Sequence, residues 1–282
     1  MKSFVWNHNR KEFNMAQNFI KDHCNDPNYF KDIALKYASN IYSSMDKTAK
    51  HFGISVDNVK SAIKYAIIWY LISYADCLVI KRKSDNNQKA HYIYGKQYSP
   101  YPQKPSSASI YYDQLFELRI KNIVENYTDK QILHVFRVYL RNPNEKNVWD
   151  KLGLSKKEMN AVLKKGIIFG VISDKGFEKL RETGISKARS QREADIFNST
   201  MDRLASFRKN RKKFLKNIES YKKQLSKCDD NLSASTSASS DSSAQTKTQT
   251  KKEELEQKLK YEENLLAWFD STMIETILGK KQ

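Results

Sequence analysis

A stretch of 23 residues occurs twice, 100 positions apart and with no gap. Residues 51–73 read HFGISVDNVKSAIKYAIIWYLIS, and residues 151–173 read KLGLSKKEMNAVLKKGIIFGVIS. Seven positions are identical: Gly53/Gly153, Ser55/Ser155, Lys64/Lys164, Ile67/Ile167, Ile68/Ile168, Ile72/Ile172 and Ser73/Ser173. Others keep their apolar character, as in Phe52/Leu152, Ile54/Leu154, Val59/Met159, Ile63/Leu163 and Trp69/Phe169. An internal duplication requires two related units, each too small for a large core but closable by three or more short helices. Only 8 glycines and 5 prolines occur in 282 residues, which favours helices over turn-rich β architectures.

Local signals agree between the copies. The first reads as helices over 30–42 and 46–52, a break at Gly53, an N-cap at Ser55 and a longer helix over 56–70. In the second, Thr128 caps a helix over 129–140 and a short helix covers 145–152. Ser155 and Glu158 then form a capping box before 156–169. A glycine after a short helix takes the left-handed conformation that turns the chain sharply into the next one. Ser73 and Ser173 are each placed to cap a further helix. Residues 77–95 allow two readings: a helix, preferred for the shared start, or a hairpin wing around Asp85-Asn86-Asn87.

The remaining boundaries follow from composition. Pro100, Pro102 and Pro105 make 96–109 an extended linker between an N-terminal domain (1–95) and a second one (110–200). Residues 201–228 carry ten Lys or Arg against Asp202 and Glu219. Leu204, Phe207, Phe214, Ile218, Tyr221 and Leu225 lay one apolar stripe on this basic helix. Residues 229–250, DDNLSASTSASSDSSAQTKTQT, have almost nothing to bury and read as a disordered linker. A second amphipathic helix over 251–282 carries Leu255, Leu259, Leu266, Phe269, Met273 and Ile277, with an acidic front that suits the Lys222, Lys223 and Lys227 end of the first in an antiparallel hairpin or coiled coil. The expected fold class is all-α: two related helical domains and a C-terminal helical pair interrupted by a linker.

A short helix, a glycine turn and a second helix opening with serine make a helix-turn-helix. Its second helix is held so that its N-terminal half can enter a major groove. In the first copy Ala49, Val59 and Ala62 take the inward places. Ser55, Asp57, Asn58, Lys60, Ser61 and Lys64 form the outward set. The stretch TAKHFGISVDNVKSAIKYA, within 45–65, resembles the helix-turn-helix segments of bacterial and phage DNA-binding proteins, particularly regulators and sigma-factor-like proteins of Gram-positive hosts. The resemblance rests on Ala49, Gly53, Val59 and Ala62, and it implies base reading by Asp57, Asn58 and Lys60. The second copy departs from the pattern, since Trp149 stands where the first has Ala49 and its indole is expected to alter the helix crossing. Its outward side offers Lys156, Lys157 and Lys164 for phosphates and Asn160 for adenine, with Glu158 opposing. The equivalent block Ile67–Ile72 reads as core, or as a dimer surface.

A net charge of +18 makes a polyanion the default partner. On the basic helix, Arg208, Arg211, Lys212 and Lys216 are the expected backbone contacts. Cys24, Cys77 and Cys228 form no CxxC pair, which fits a reducing compartment and no disulfide framework. The first residues lack the apolar core of a signal peptide, and 66–80 is too short and polar for a membrane span. No phosphate-cradling glycine motif occurs, and none of the five histidines forms HxH or HExxH. The expectation is a cytoplasmic, non-enzymatic, double-stranded DNA-binding protein without cofactor or metal, acting in transcription control or in replication or partition. Homo-oligomers or a protein partner would engage the C-terminal helices. The alternative is a helical scaffold whose basic surface has no specific DNA reading, with membrane-surface binding of the basic helix a lesser one.

Overall fold

The computed structural model describes residues 15–39, 44–93, 107–142, 147–235 and 242–279. Among them every regular element is helical: α1 (Gln17–His23), α2 (Pro27–Ala38), α3 (Met45–Phe52), α4 (Val56–Ile68), α5 (Tyr74–Ile93), α6 (Ser107–Asn126), α7 (Asp129–Arg141), a 3-10 turn (Asp150–Leu152), α8 (Lys156–Ile168), α9 (Asp174–Ser186), α10 (Gln191–Ser235) and α11 (Ser242–Leu278). The all-α expectation holds. The two copies have matching element order, α3–α4–α5 in the first and the 3-10 turn–α8–α9 in the second.

The shared residues explain the shared plan. Gly53 and Gly153 have φ of 65° and 64°, the left-handed turn a Cβ would strain. The N–H groups of Ile54 and Leu154 then reach back to the carbonyls of Ala49 and Trp149, at 3.0 and 3.1 Å. The Ser55 and Ser155 hydroxyls accept from the third helical N–H of α4 and α8, both at 3.1 Å. Glu158 completes its capping box by accepting from the Ser155 N–H. Ser73 and Ser173 cap α5 and α9 through the N–H groups of Asp76 and Gly176. At the far end of α4 and α8 the chain turns again with positive φ, on Gly170 (79°) and on Tyr70 (48°).

The differences are also local. Residues 74–93 are one helix, so the wing is absent there. The expected short helix over 145–152 is reduced to one 3-10 turn after a turn at 147–149, against eight residues in α3. Helix α10 begins at Gln191 rather than near 201 and runs 45 residues, about 67 Å at 1.5 Å per residue. The segment expected to be a disordered linker is helical over 229–235 and 242–250, and 236–241 lie outside the described residues. Pairing is the cause: Lys252 bonds Asp229 at 2.7 Å beside buried Cys228 and Leu255. Helices already nucleated extend at little cost into residues with no core-forming side chains. The expected linker over 96–109 ends in helix from Ser107; the rest of it lies outside the described residues.

Two compact units result. The first comprises Met1–Tyr127 with Glu145–Asn160, the second Thr128–Asn144 with Ala161–Gln282. The boundary therefore differs from 95/110: α6 and the glycine turn of the second copy join the first unit. That unit's core gathers Phe30, Ile33, Tyr37, Val59, Ile63 and Leu115 around α4. The second unit buries Ile132, Val162, Ile167, Ile172, Phe177 and Leu204, and carries the antiparallel pair α10 and α11. Arg211–Asp270, Asn217–Glu262, Lys222–Glu263 and Lys252–Asp229 fix the antiparallel register, with Phe214 against Phe269 at 5.6 Å.

Candidate nucleic-acid interface

In the first unit α3 and α4 pack against each other across the turn at Gly53. Ala49, Val59 and Ala62 are buried, while Ser55, Asp57 and Lys60 are exposed. Asp57 and Lys60 pair at 3.0 Å across one helical turn, a contact water and salt weaken readily. Asn58 is half-buried on the wall of an open hollow of about 700 Å³ that also takes in Asp22 and His23 of α1.

Two of the outward residues depart from expectation. Ser61 is only 1% exposed: its hydroxyl donates to the Asp57 carbonyl and accepts from the Ala16 N–H, both at 2.8 Å. It holds the chain entering α1 onto α4 and is withdrawn from the reading set. Lys64 is half-buried with its ammonium 5.3 Å from the centre of the Tyr111 ring. Burial, then the neighbouring Lys60 charge, lowers its pKa, while Asp57 opposes. The open face of α4 thus narrows to Ser55, Asp57, Asn58, Lys60 and the flank of Lys64.

The second copy presents the matching stripe. Lys156, Lys157 and Asn160 are exposed, and Lys164 is half-buried with its pKa lowered by burial and by Arg203. Lys156 sits 5.8 Å over the Trp149 ring, so the indole lies against a lysine at the start of α8. Glu158 does not face outward. It is 1% exposed and bonds Arg119 Nε at 2.6 Å.

Arg119 is the group that sequence reasoning missed. It projects from α6 into the first unit, 1% exposed. Nη1 donates to the carbonyls of Ile72 (2.8 Å) and Ile67 (3.5 Å), Nη2 to that of Gly153 (3.3 Å), and Nε to Glu158. One side chain thereby ties the end of α4 to the glycine turn of the second copy. The Tyr74 N–H also donates to Gly153 at 2.9 Å. Arg119 and the Tyr74 N–H thus join the end of α4 and the start of α5 to the turn at Gly153.

No protein family, curated protein or solved structure matches this chain.

Arg208 in the second unit repeats the role of Arg119, with Nη1 donating to Ile172 at 2.7 Å and Ile167 at 3.5 Å. It is 7% exposed, and its assignment as a DNA-backbone contact is corrected. Arg211 is corrected likewise: it grips Asp270 with two bonds, at 2.8 and 3.0 Å, and stacks 4.6 Å over Phe169. Lys212 is exposed and paired with Asp174 at 3.1 Å; Lys216 is exposed. The Lys212 hydrogen bond, then the Arg208 charge, holds the Asp174 carboxyl below its ordinary range. Leu118-Arg119-Ile120 and Phe207-Arg208-Lys209 share only the arginine and stand 89 residues apart rather than 100, so no repeat in the sequence marks the two arginines.

Among the described residues no cluster of three or more His, Cys, Asp or Glu is arranged to hold a metal ion. No helix among them is long and apolar enough to cross a membrane.

Proposed function

We propose that this chain is a double-stranded DNA-binding protein acting in transcription control, replication or partition. The observation that carries the reading is the turn at Gly53, with Ala49, Val59 and Ala62 buried behind it and Ser55, Asp57 and Lys60 left open in front. That is the arrangement a helix needs to offer its first two turns to a groove. Asp57, Asn58 and Lys60 are the proposed base readers. Lys156, Lys157 and Lys164 are proposed to meet phosphates, with Asn160 placed for a base edge. The net charge of +18 supplies the long-range attraction.

The Arg119 lock bears on mechanism. It joins the Gly153 turn to the end of α4, and on this reading the ordering cost of presenting both faces to a duplex is reduced. The C-terminal hairpin, with Tyr261 and Trp268 exposed, is the proposed surface for a second copy or a protein partner. A cytoplasmic site of action fits this role.

Selection from a random duplex pool, followed by footprinting on the recovered sequence, tests the proposal. Enrichment of one motif and protection of its bases at physiological salt is the expected result. Recovery of unrelated sequences with no protected bases favours the second reading, a helical scaffold, which draws on how narrow the open stripe of α4 is.

A further inference from the structure

In the first unit Arg119 does more than close its own turn. Its Nη1 takes the Ile67 and Ile72 carbonyls, while Nη2 and Nε face outward and are filled by the Gly153 carbonyl and the Glu158 carboxylate. The incoming turn is seated closely: a Cβ on Gly153 would stand 3.5 Å from that of Ser73. Cys77, whose sulfur lies 3.7 Å from Nη1, is buried, as are Ile120 and Ile123 on α6.

The second unit builds the same cradle from Ser173, Asp174, Phe177 and Arg208. Arg208 Nη1 holds the Ile167 and Ile172 carbonyls, which orients its guanidinium as Arg119 is oriented. Asp174 reaches Nη2 at 2.8 Å, in the place of the Gly153 carbonyl. Nε, which takes the glutamate in the first unit, is buried and has no hydrogen-bond partner among the described residues. Beside it opens a hollow of about 520 Å³ lined by Asp174, Phe177, Glu178, Arg208, Lys209 and Lys212. Lys209 and Lys212 stand where the first unit has Ile120 and Ile123, so at these two positions the cradle is basic where the other is apolar, Lys212 being paired with Asp174 at 3.1 Å.

We propose that this hollow is a docking site for an acidic protein partner, entered by a helix N-terminus whose third residue is glutamate or aspartate. The carboxylate completes Arg208 Nε as Glu158 completes Arg119. Lys209 and Lys212 select further acidic residues in the same helical turn. The buried, unpartnered nitrogen supplies the requirement, since such a donor is costly to leave unmade. The filled cradle of the first unit supplies the shape of the occupant.

The probe is a fluorescein-labelled peptide of residues 149–168 carrying Lys156→Glu and Lys157→Glu, titrated with the full chain and followed by anisotropy. A saturable rise is expected. Glu158→Gln in the peptide weakens binding about tenfold or more, as removal of a charge-assisted bond does. Lys209→Glu with Lys212→Glu in the protein, both exposed positions, weakens it to a similar extent with unchanged circular dichroism, whereas Lys216→Glu leaves it within about twofold. No saturable rise up to about 1 mM peptide overturns the proposal. So does equal affinity for the glutamine peptide, or indifference to the Lys209/Lys212 pair. Displacement of the peptide by inorganic phosphate at about 1 mM reassigns the hollow to a phosphate oxyanion and overturns the protein partner. None of these outcomes depends on whether the α4 face reads DNA.

Discussion

Replacing Arg119 with methionine is expected to destabilise the protein more than the same change at Arg208, although both arginines close equivalent turns. Methionine fills similar volume and removes the charge. In the first unit the change strips the Glu158 carboxylate, 1% exposed, of its cation at 2.6 Å and frees the Ile72 carbonyl, while the Gly153 carbonyl keeps the Tyr74 N–H. Removing one partner of a buried pair costs about 3–5 kcal/mol, because the other charge is left in the interior. In the second unit the carboxylate is Asp174, whose side chain is 76% exposed and keeps its water. What remains there is the loss at the Ile167 and Ile172 carbonyls, about 1–3 kcal/mol. The expected gap is about 2 kcal/mol. Urea unfolding, with hydrogen exchange used to follow α4 and α9 separately, reads each loss in its own unit. Arg119→Met combined with Glu158→Gln is expected to recover a large part of the loss, since glutamine keeps the capping bond to the Ser155 N–H without a charge. Equal losses for the two single variants, or a loss at Arg119 below about 1 kcal/mol, refutes the account of the buried lock.

Three other outcomes follow from particular residues. Tyr70→Gly is expected to be more stable than Tyr70→Ala by about 1 kcal/mol in thermal unfolding, because both remove the ring packed on Tyr127 but only alanine keeps the side-chain strain at φ 48°. Ellman's reagent is expected to modify one thiol quickly in the folded chain and three in denaturant: Cys24 is exposed, whereas burial pushes Cys77 up to about 12 and Cys228 is also buried. Ile68→Asp is expected to cost several kcal/mol, roughly, and Lys60→Asp far less, since Ile68 lies in the core and Lys60 on the surface; equal midpoints in urea contradict that placement.

The parts legible in the sequence are those governed by residues near one another in the chain. Gly53, Ser55, Ser73 and their copies act through turns and caps within a few residues, so spacing alone located them. The pairing of α10 with α11 was legible because both apolar stripes are long. The closures by Arg119 and Arg208 were not, because an arginine on a later helix gives no local sign that it will satisfy carbonyls at the end of an earlier one. Ser61 was misplaced for a related reason: a helical wheel assumes one buried side, whereas α4 is covered by α1 as well as by α2, α3 and α6. Arg211 looked solvated on a basic helix until α11 supplied Asp270.

The most direct test of DNA reading is a salt titration of binding to a selected duplex and its scrambled counterpart, made with two variants. Asn58→Ala with Lys60→Ala removes proposed base readers from the open face of α4. The ratio of specific to non-specific affinity is expected to fall, at about 1–3 kcal/mol for each base edge no longer read, with the non-specific affinity little changed. Lys156→Ala, Lys157→Ala and Lys164→Ala together are expected to weaken both duplexes alike and to reduce the salt slope by up to about 0.9 for each phosphate left without its lysine. If the first variant keeps its preference while the second loses it, the roles of the two copies are reversed. If both bind every duplex as the parent does, the helix-turn-helix reading is contradicted.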